Sequence, residues 1–450
     1  MTPRPATNLR RRGTIFIAAM WVLVALVGLV LVMSRWARVE SKASANRLAE
    51  AQAAFAERAG EQYVLYQVAS TGADAAFTSQ AIPAQVPVGE GFFWVTRPDR
   101  EGDNLQDFGV DDEGGKININ TATSTQLLML PGMTPDVAAA IVDWRDTDDN
   151  PQPYGAESDY YGSLPSPYRA KNAPFETVEE LLLVKGVTPE LLFGMDANHN
   201  GFLDNEETAA GGMASSFNAG NDTSRGWLPF LSTTGPGNAA QQGQQQLTNV
   251  NGNNLQPVLD VLRGALDANR ATEVGNRIPG GRPFRNMVDF YVKSGMKAEE
   301  FALVADKLTV QGGAANNGRV NVNTAPREVL RCLTGLEDSD AVALVAAREN
   351  GVDTTNVAWV ADAIDKTKAV NIGDQITARS YRYSADVLGV SADGRAYRRV
   401  RIYVDATQST PTIVARRDLT DLGWSIGWDV RQQLRSGAGI DSGSAMMVSR

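Results

Sequence analysis

An uncharged stretch of twenty residues near the N-terminus constrains this chain more than any other feature. It runs from Thr14 to Met33 and directly follows the sequence Arg10-Arg11-Arg12-Gly13. A helix of this length just crosses the hydrocarbon core of a bilayer. The stretch is too long for an ordinary secretory signal and lacks its small-x-small cleavage pattern. We therefore expect a single membrane-spanning helix that holds the rest of the chain on the side opposite the arginines.

The residues before this stretch resemble the leader of a type IV prepilin, in which basic residues precede a glycine and a long apolar helix. A prepilin peptidase cuts such leaders just after the glycine, so the resemblance implies cleavage between Gly13 and Thr14. Ala18 would then be the fifth residue of the mature chain, where pilins normally carry Glu. That carboxylate is thought to neutralise the terminal amine of the subunit above, because an unpaired charge in lipid is costly. A subunit without it suits the first position, at the tip of a fibre. An uncleaved signal anchor is the alternative.

Composition favours an exported body on one anchor and argues against several classes of function. With 450 residues the chain is long enough for two or three domains. Its formal net charge of −10 repels nucleic acid and favours cations. The single cysteine, Cys332, excludes an internal disulfide, and the single histidine, His199, argues against a zinc site or a Ser-His-Asp triad. We expect a non-enzymatic protein whose stability comes from its core or from bound metal.

The pattern along the chain predicts an α+β fold, in which a small pilin-like domain carries a large and mostly α-helical insertion. A helix should continue through Arg35 to about Ser70, with one packing stripe formed by Leu48, Ala51, Phe55, Ala56 and Ala59. Strands are predicted at Gly91 to Val95, Phe108 to Val110, Arg379 to Val390 and Ala396 to Asp405, the last two joined by an Asp393-Gly394 hairpin.

We assign these distant strands to one sheet, which fixes the predicted organisation of the chain. The divisions are a leader at 1–13, a transmembrane helix at 14–34, the pilin helix and first strands at 35–115, the insertion at 116–375 with a linker at 211–247, the returning strands at 376–418, and an unassigned tail at 419–450.

The insertion contains internal repeats. Lys116-Ile-Asn-Ile-Asn-Thr-Ala is matched by Arg319-Val-Asn-Val-Asn-Thr-Ala, and a degraded third copy starts at Asn249-Val-Asn251. Repeats of helix, glycine turn and helix are typical of helix-hairpin-helix units. They also resemble the DNA receptors of bacterial competence, in which a Gly-x-Gly turn holds a phosphate. Here Pro131-Gly132-Met133-Thr134 lacks the second glycine and the flanks are acidic. We therefore favour a structural use of the repeats and expect no nucleic-acid partner.

One acidic loop matches the twelve-residue calcium loop of EF-hand type. Calcium takes six to eight hard oxygen ligands, and this order of residues supplies them around a sharp turn at Gly201. The predicted ligands are Asp196, Asn198, Asn200, the carbonyl of Phe202, Asp204 and Glu207. A solvated acidic loop is the alternative. Because neither flank promises long paired helices, we expect a structural site and not a switch.

A second acidic loop, from Asp143 to Asp159, has the carboxylate density for calcium but no generic ligand spacing. Together with its neighbours it makes a family resemblance specific. The Asn-x-Asn-Thr-Ala motif, the Asp-Trp-x-Asp-x-Asp run, Gly-Ala-Glu, Asn172-Ala-Pro174-Phe175 and the Glu179-Glu180-Leu181 segment are similar to the K-class minor pseudopilins of the type II secretion system. The resemblance covers nearly the whole chain, from the leader to the returning strands.

This resemblance implies a function, a location and partners. The K-class subunit caps the pseudopilus, helps initiate its assembly for secretion of folded proteins, and binds calcium near the second acidic loop. The implied candidates there are Asp148, Asp149, Glu157 and Asp159. The implied partners are the I, J and H minor pseudopilins, the major pseudopilin, the prepilin peptidase and the inner-membrane assembly platform. We expect a single-pass protein of the bacterial inner membrane with its bulk in the periplasm. A minor pilin of another type IV system is the first alternative, and a DNA receptor is the second.

Overall fold

A computed structural model describes residues 10–71, 85–99, 107–204, 207, 225–237, 247–310 and 318–436 of the chain. The tail beyond Ser436 and most of the predicted linker at 211–247 lie outside these ranges. The described residues form a mixed structure of helix and sheet. One long antiparallel sheet and one N-terminal helix organise one part of the molecule, and short helices dominate the rest.

The first helix, α1, is a single element of 62 residues, Arg10–Thr71. In the described residues it is the one helix long and apolar enough to cross a membrane, and that apolar part touches nothing else in the structure. Gly13 and Thr14 lie in the first turns of this helix, whereas the rest of the predicted leader, residues 1–9, lies outside the described residues.

The C-terminal half of α1 packs against the sheet. Its buried face has helical spacing and comprises Ala49, Ala53, Ala56, Gly60, Val64 and Val68. The predicted packing stripe is wrong for three of its members, because Leu48 is 61% exposed, Phe55 is 67% exposed and Ala51 is also exposed. With 100° of rotation per residue, Leu48, Phe55 and Tyr66 form one line on the side of α1 away from the sheet. The sequence contains two apolar faces, and the face that meets the sheet consists mostly of small side chains, with Tyr63 and Leu65 at its edges.

The sheet brings together strands from both ends of the chain. Its order is β1 (Val86–Val88), β2 (Gly91–Arg97), β11 (Arg382–Val390), β12 (Tyr397–Asp405) and β13 (Thr412–Asp418), all antiparallel. Two short strands, β3 (Asp107–Phe108) and β4 (Asp111–Asp112), pair with β2 and β11. Because β2 pairs directly with β11, the chain between them emerges from one sheet and returns to it. The hairpin predicted at Asp393-Gly394 joins β11 to β12, and Gly394 has a positive φ of 64°.

The contacts between α1 and β11 show at which end of the sheet the insertion is attached. A Cβ on Gly389 would lie 2.2 Å from the backbone nitrogen of Glu57, and one on Gly60 would lie 2.4 Å from Val387. Moving along α1 away from the membrane-length segment therefore means moving backward along β11. The insertion joins β11 at its first residues, so it is attached at the end of the sheet farther from that segment.

The other face of the sheet is covered by the segment that sequence analysis left unassigned. Trp424, Ile426 and Leu434 pack with Trp94 and Leu388 in one buried cluster. The segment contains a 3-10 helix, Thr420–Leu422, and the helix α14, Trp428–Ser436. Residues 419–436 are therefore part of the sheet domain.

The insertion consists of three copies of one arrangement, each closed by a short parallel strand pair. The pairs are β5 (Ile117–Asn118) with β6 (Leu231–Ser232), β7 (Thr248–Asn249) with β8 (Leu308–Thr309), and β9 (Val320–Asn321) with β10 (Ile376–Thr377). The helices are α2 (Ser124–Leu127), α3 (Pro135–Arg145), α4 (Ser158–Gly162) and α5 (Pro189–Phe193) in the first copy; α6 (Gln256–Ala265), α7 (Ala268–Gly281), α8 (Met287–Ser294) and α9 (Ala298–Ala302) in the second; and α10 (Arg327–Arg331), α11 (Asp338–Glu349), α12 (Ala358–Ala363) and α13 (Lys366–Ile372) in the third. A single buried apolar cluster runs through all three copies.

The repeated Asn-x-Asn motif has a structural purpose in each copy. Its last asparagine donates its side-chain amide to two carbonyls, one of them just beyond the closing strand. Asn120 bonds the carbonyls of Phe175 and Thr233, Asn251 those of Phe284 and Val310, and Asn323 those of Thr354 and Ala378, at 2.6 to 3.5 Å. The conserved geometry explains why the motif recurs, while the term helix-hairpin-helix stays an interpretation of the short helix pairs.

Candidate metal centre

The acidic loop of the first copy brings three carboxylates together. Asp143 lies in the last turn of α3, Asp146 directly follows this helix, and Glu157 directly precedes α4. One carboxylate oxygen of each lies within 4.8 Å of those of the other two. We call these three residues the acidic cluster. A spacing of three residues places Asp143 and Asp146 on the same side of the helix end, and the loop returns Glu157 to them.

The loop is wrapped tightly around Asp143. Its Oδ2 accepts hydrogen bonds from the backbone nitrogens of Gln152, at 3.1 Å, and Ala156, at 2.8 Å. A Cβ on Gly155 would lie only 1.8 Å from the same oxygen, so no other residue fits at this position. Tyr154 is held at a positive φ of 74° in the same turn, a strained conformation for a residue with a side chain.

The other two carboxylates of the acidic cluster have oxygens without protein partners. Both oxygens of Glu157 and Oδ1 of Asp146 are buried and accept no hydrogen bond from the part of the chain that the structure describes. The side-chain oxygen of Asn172 is likewise buried and accepts no hydrogen bond from the described residues, while its side-chain nitrogen donates to the carbonyl of Asp148 at 2.6 Å. Buried polar groups nearly always have partners. Several unpartnered oxygens in one loop form the donor set that Ca²⁺ prefers.

The electrostatics of the acidic cluster favour a cation. Burial, and then repulsion by Asp143 and Asp146, raises the pKa of Glu157 to about 7. Burial also raises the pKa of Asp143, although its two backbone hydrogen bonds oppose the shift. Like charges held together in a buried site disfavour the ionised form. A bound divalent cation removes this penalty.

Of the four ligands that the sequence analysis proposed for this loop, the structure places one in the acidic cluster and three outside it. Glu157 belongs to the acidic cluster, whereas Asp148, Asp149 and Asp159 are exposed on its rim. Asp148 and Asp149 lie near enough to contribute to the raised pKa of Glu157, and Asp149 accepts a hydrogen bond from the Ser158 nitrogen at 3.2 Å. Sequence reasoning did not name Asp143 and Asp146 as ligands. Their spacing at the end of an amphipathic helix was the signal that could have identified them.

The described residues of the second candidate loop, 196–204 and 207, form a closed turn. Asp196 accepts hydrogen bonds from the backbone nitrogens of Asn200 and Gly201, at 3.0 and 2.8 Å. Glu207 reaches back across the loop and accepts from the nitrogens of Ala197, Asn198 and Asp204, at 2.9 to 3.2 Å. Gly201 has a φ of +86°, and a Cβ there would lie 2.5 Å from Pro98. The residues of the predicted calcium loop are thus gathered around one turn.

Burial affects the carboxylates of this loop as well. It raises the pKa of Asp196 to about 6 and that of Glu207 to about 7, in the second case with further repulsion from Asp196 and Asp204. His199 is half-buried and stacks on Phe193 with 4.0 Å between the ring centres, and burial lowers its pKa to about 4. His199 thus packs on the side of the loop and is not among the predicted ligands.

A cleft of about 670 Å³ lies between the sheet and the insertion. The loop at 196–207, which we call the calcium-type loop, lines it on one side, and β11 and β12 line it on the other. Arg417 of β13 forms an ion pair with Glu179, which also lines the cleft. The second candidate loop is therefore at the boundary between the two parts of the protein.

Together these features define a class of protein. One membrane-length N-terminal helix continues onto an antiparallel sheet, and a helical body with an acidic metal-type cluster interrupts that sheet. This architecture is compatible with a single-pass, membrane-anchored protein.

Comparison with known proteins identifies a similar family. Residues 104–195 and residues 320–378 match two family models, both described as type II secretion system (T2SS), protein K. These matches support the assignment of the chain as a K-type minor pseudopilin. The family is a structural component of a secretion system. The first matched segment contains the whole acidic cluster and ends just before the calcium-type loop, and the second copy of the repeat lies between the two segments.

Two individual proteins illustrate the likeness. The type II secretion system protein K of Pectobacterium carotovorum subsp. carotovorum is 33% identical over 89 residues, which are 18% of this chain and 27% of that protein. The match thus spans only about a quarter of the curated relative. The crystal structure of the GspK-GspI-GspJ complex from enterotoxigenic Escherichia coli has a chain that is 11% identical, with a TM-score of 0.43. The alignment covers 85% of this chain and 99% of that one.

Proposed function

We propose that this protein is a minor pseudopilin of the type II secretion system that occupies the tip of the pseudopilus and helps to initiate its assembly for the secretion of folded proteins. The observation that carries the proposal is the attachment of the insertion at the end of the sheet farther from the membrane-length segment of α1. In a fibre that grows from the membrane, a later subunit enters below an earlier one. A bulky body at the distal end leaves no room for a subunit above, but it does not hinder a subunit below.

Two sequence features support the same position. Ala18 offers no carboxylate to the amine of a subunit above, and the prepilin-type leader with cleavage between Gly13 and Thr14 would keep α1 in the mature chain. We infer that the anchor spans the inner membrane with the sheet and the insertion in the periplasm. The exposed line of Leu48, Phe55 and Tyr66 offers α1 as the surface for the I, J and H minor pseudopilins, and then for the major pseudopilin. The prepilin peptidase and the assembly platform complete the proposed set of partners.

Labelling of assembled fibres tests the tip position. Antibodies raised against the insertion should bind one end of each pseudopilus in electron micrographs, while antibodies against the major pseudopilin mark the whole shaft. Cells without the protein should form fewer fibres and secrete less, although the other subunits stay in the membrane. Label distributed along the shaft would refute the proposal.

We further propose that calcium is the resident metal of the protein. The unpartnered buried oxygens of the acidic cluster support this assignment, and Asp143, Asp146 and Glu157 would hold the ion. The loop at 196–207 would hold a second ion through the ligands predicted from its sequence. Calcium supplies a charge that cancels the buried carboxylates. It would thereby tie together loops of a chain whose single cysteine permits no internal disulfide.

A further inference from the structure

The calcium-type loop is part of the insertion in sequence, but residues of the sheet contact it directly. Arg399 of β12 is completely buried. Its two terminal nitrogens donate to the carbonyls of Asn198, at 2.5 Å, and His199, at 3.2 Å. Arg401, two residues along the same strand face, donates to the same His199 carbonyl at 2.6 Å. Two arginines of the sheet therefore donate hydrogen bonds to the backbone in the first half of the loop.

The two arginines are themselves held in place by Asp386 on the neighbouring strand β11. Its carboxylate accepts from Arg399 at 2.6 and 3.0 Å and from Arg401 at 3.2 Å. A planar guanidinium that donates two of its nitrogens, here Nε and Nη2 of Arg399, to one carboxylate has a fixed orientation. The donors that face the loop are thus oriented by the sheet before any ion binds.

The segment that follows β13 fixes the loop from another direction. The side-chain amide nitrogen of Asn200 donates to the carbonyl of Ser425 at 3.1 Å, and that of Asn198 donates to the carbonyl of Trp424 at 3.4 Å. The same two nitrogens also donate within the loop to Oδ2 of Asp204, at 2.6 Å from Asn198 and 3.5 Å from Asn200. The amide oxygen of Asn198 accepts from the backbone nitrogen of Asn200, and that of Asn200 accepts from the nitrogen of Phe202, both at 3.0 Å. Both side chains, which are predicted calcium ligands, are thus held between the loop and the segment after β13.

From this arrangement we infer that Arg399, with Asp386 and Arg401, positions the calcium loop, so that calcium binding at 196–207 is coupled to the docking of the insertion on the sheet. The inference rests on the proposed calcium function of that loop. Groups that orient metal ligands from outside typically change metal affinity about 10–100-fold when they are removed. By thermodynamic reciprocity, an ion in the loop should stabilise the contact with the sheet to the same extent.

The sign of the effect separates positioning from simple electrostatics. Arg399 is a cation near the loop, so its loss alone should strengthen the binding of Ca²⁺ by removing repulsion. Loss of positioning should weaken binding. A weaker site after Arg399→Met therefore cannot result from the change in charge.

Calcium titration of the full chain in detergent, by isothermal calorimetry, tests the inference. Glu207→Ala should remove one class of sites and so identify the signal of the loop. Arg399→Met should weaken that class about tenfold or more, and Arg399→Lys, which keeps the charge but not the fork, should fall between it and the wild type. Arg398→Met is the matched control, because Arg398 is the exposed neighbour on the same strand and should change nothing. Calcium should also slow hydrogen exchange in residues 420–427 of the wild type but not of Arg399→Met.

The possible failures are distinguishable. If Glu207→Ala binds as many ions as the wild type, the loop is not a calcium site, and the inference fails together with that part of the proposed function. If Glu207→Ala loses a site while Arg399→Met binds as tightly as the wild type, positioning is refuted and the calcium site stands. If Arg399→Met does not fold, Arg399→Lys and Asp386→Asn take its place, and unchanged affinity in both would overturn the inference.

Discussion

At the scale of the residue, the acidic cluster decides what the insertion needs in order to be stable. A buried carboxylate without a hydrogen-bond partner is costly, and both oxygens of Glu157 are in this state. When the metal-free protein folds, Glu157 must therefore either become protonated or stay ionised and be repelled by Asp143 and Asp146. A bound cation converts the same three charges into a favourable interaction.

This residue-scale account predicts opposite effects of Glu157→Gln with and without calcium. In excess chelator the variant should melt at or above the temperature of the wild type, because the neutral amide removes repulsion. With calcium at a hundredfold excess over its Kd, the wild type should gain about 2.7 kcal/mol, or several degrees, and the variant should lose most of this gain. Scanning calorimetry of the full chain in detergent measures both. Asp159→Asn, an exposed carboxylate of the same loop, is the control and should behave as the wild type. An equal destabilisation of Glu157→Gln in both buffers would show that the cluster is not a metal site.

At the scale of the element, the repeats show how a short motif can organise a large insertion. Each closing strand has only two residues, too few to be stable alone. The asparagine that bonds across each pair satisfies carbonyls that the short strands leave open. In the third copy Asn323 also accepts a hydrogen bond from the Trp359 ring nitrogen at 3.0 Å.

We predict that removal of this asparagine destabilises the insertion strongly. Asn323→Ala leaves two carbonyls and one indole donor without partners, and each unsatisfied buried group costs about 1–3 kcal/mol. The variant should lose at least ~2 kcal/mol in urea unfolding. Asn269→Ala, on the exposed side of α7, should lose little or nothing. Equal stability of both variants would mean that the motif does not hold the copies closed.

At the scale of the whole molecule, α1 has three distinct surfaces: a membrane-length apolar part, a face that packs on the sheet, and an exposed outer face. Its first part is apolar on all sides, and its second part has a sheet face of mostly small residues and an outer line of large ones. Exposed Leu and aromatic side chains in one line on a helix indicate a surface for another protein. The tip position that we propose requires such a surface, because the next subunits would pack beside α1.

This division predicts that Phe55→Ser weakens the complex with the other minor pseudopilins without unfolding the subunit. Phe55 is 67% exposed, so its loss should leave the melting temperature nearly unchanged. In an interface an aromatic anchor of this kind contributes at least ~2 kcal/mol, which should reduce co-purification from detergent-solubilised membranes clearly. Arg58→Ser, exposed but beside the line, should co-purify normally. Normal assembly of Phe55→Ser would exclude this face as the contact.

The sequence by itself determined the features that depend on neighbouring residues. Short stretches of sequence were enough to predict the apolar length of α1, the Asp393-Gly394 hairpin, the Asn-x-Asn repeats and the acidic loops. The family resemblance follows from the same motifs. Local periodicity could not decide which apolar face of α1 meets the sheet, since Leu48 and Phe55 lie on a helix with two such faces. It also could not show that Glu157 meets Asp143 and Asp146 while Asp159 stays on the rim. The hydrogen bond from Arg399 to the carbonyl of Asn198 joins residues about two hundred positions apart, and only the tertiary fold brings them together. Contacts of that separation carry no periodic signal, because burial and hydrogen bonding act on the folded backbone and not on the order of the residues.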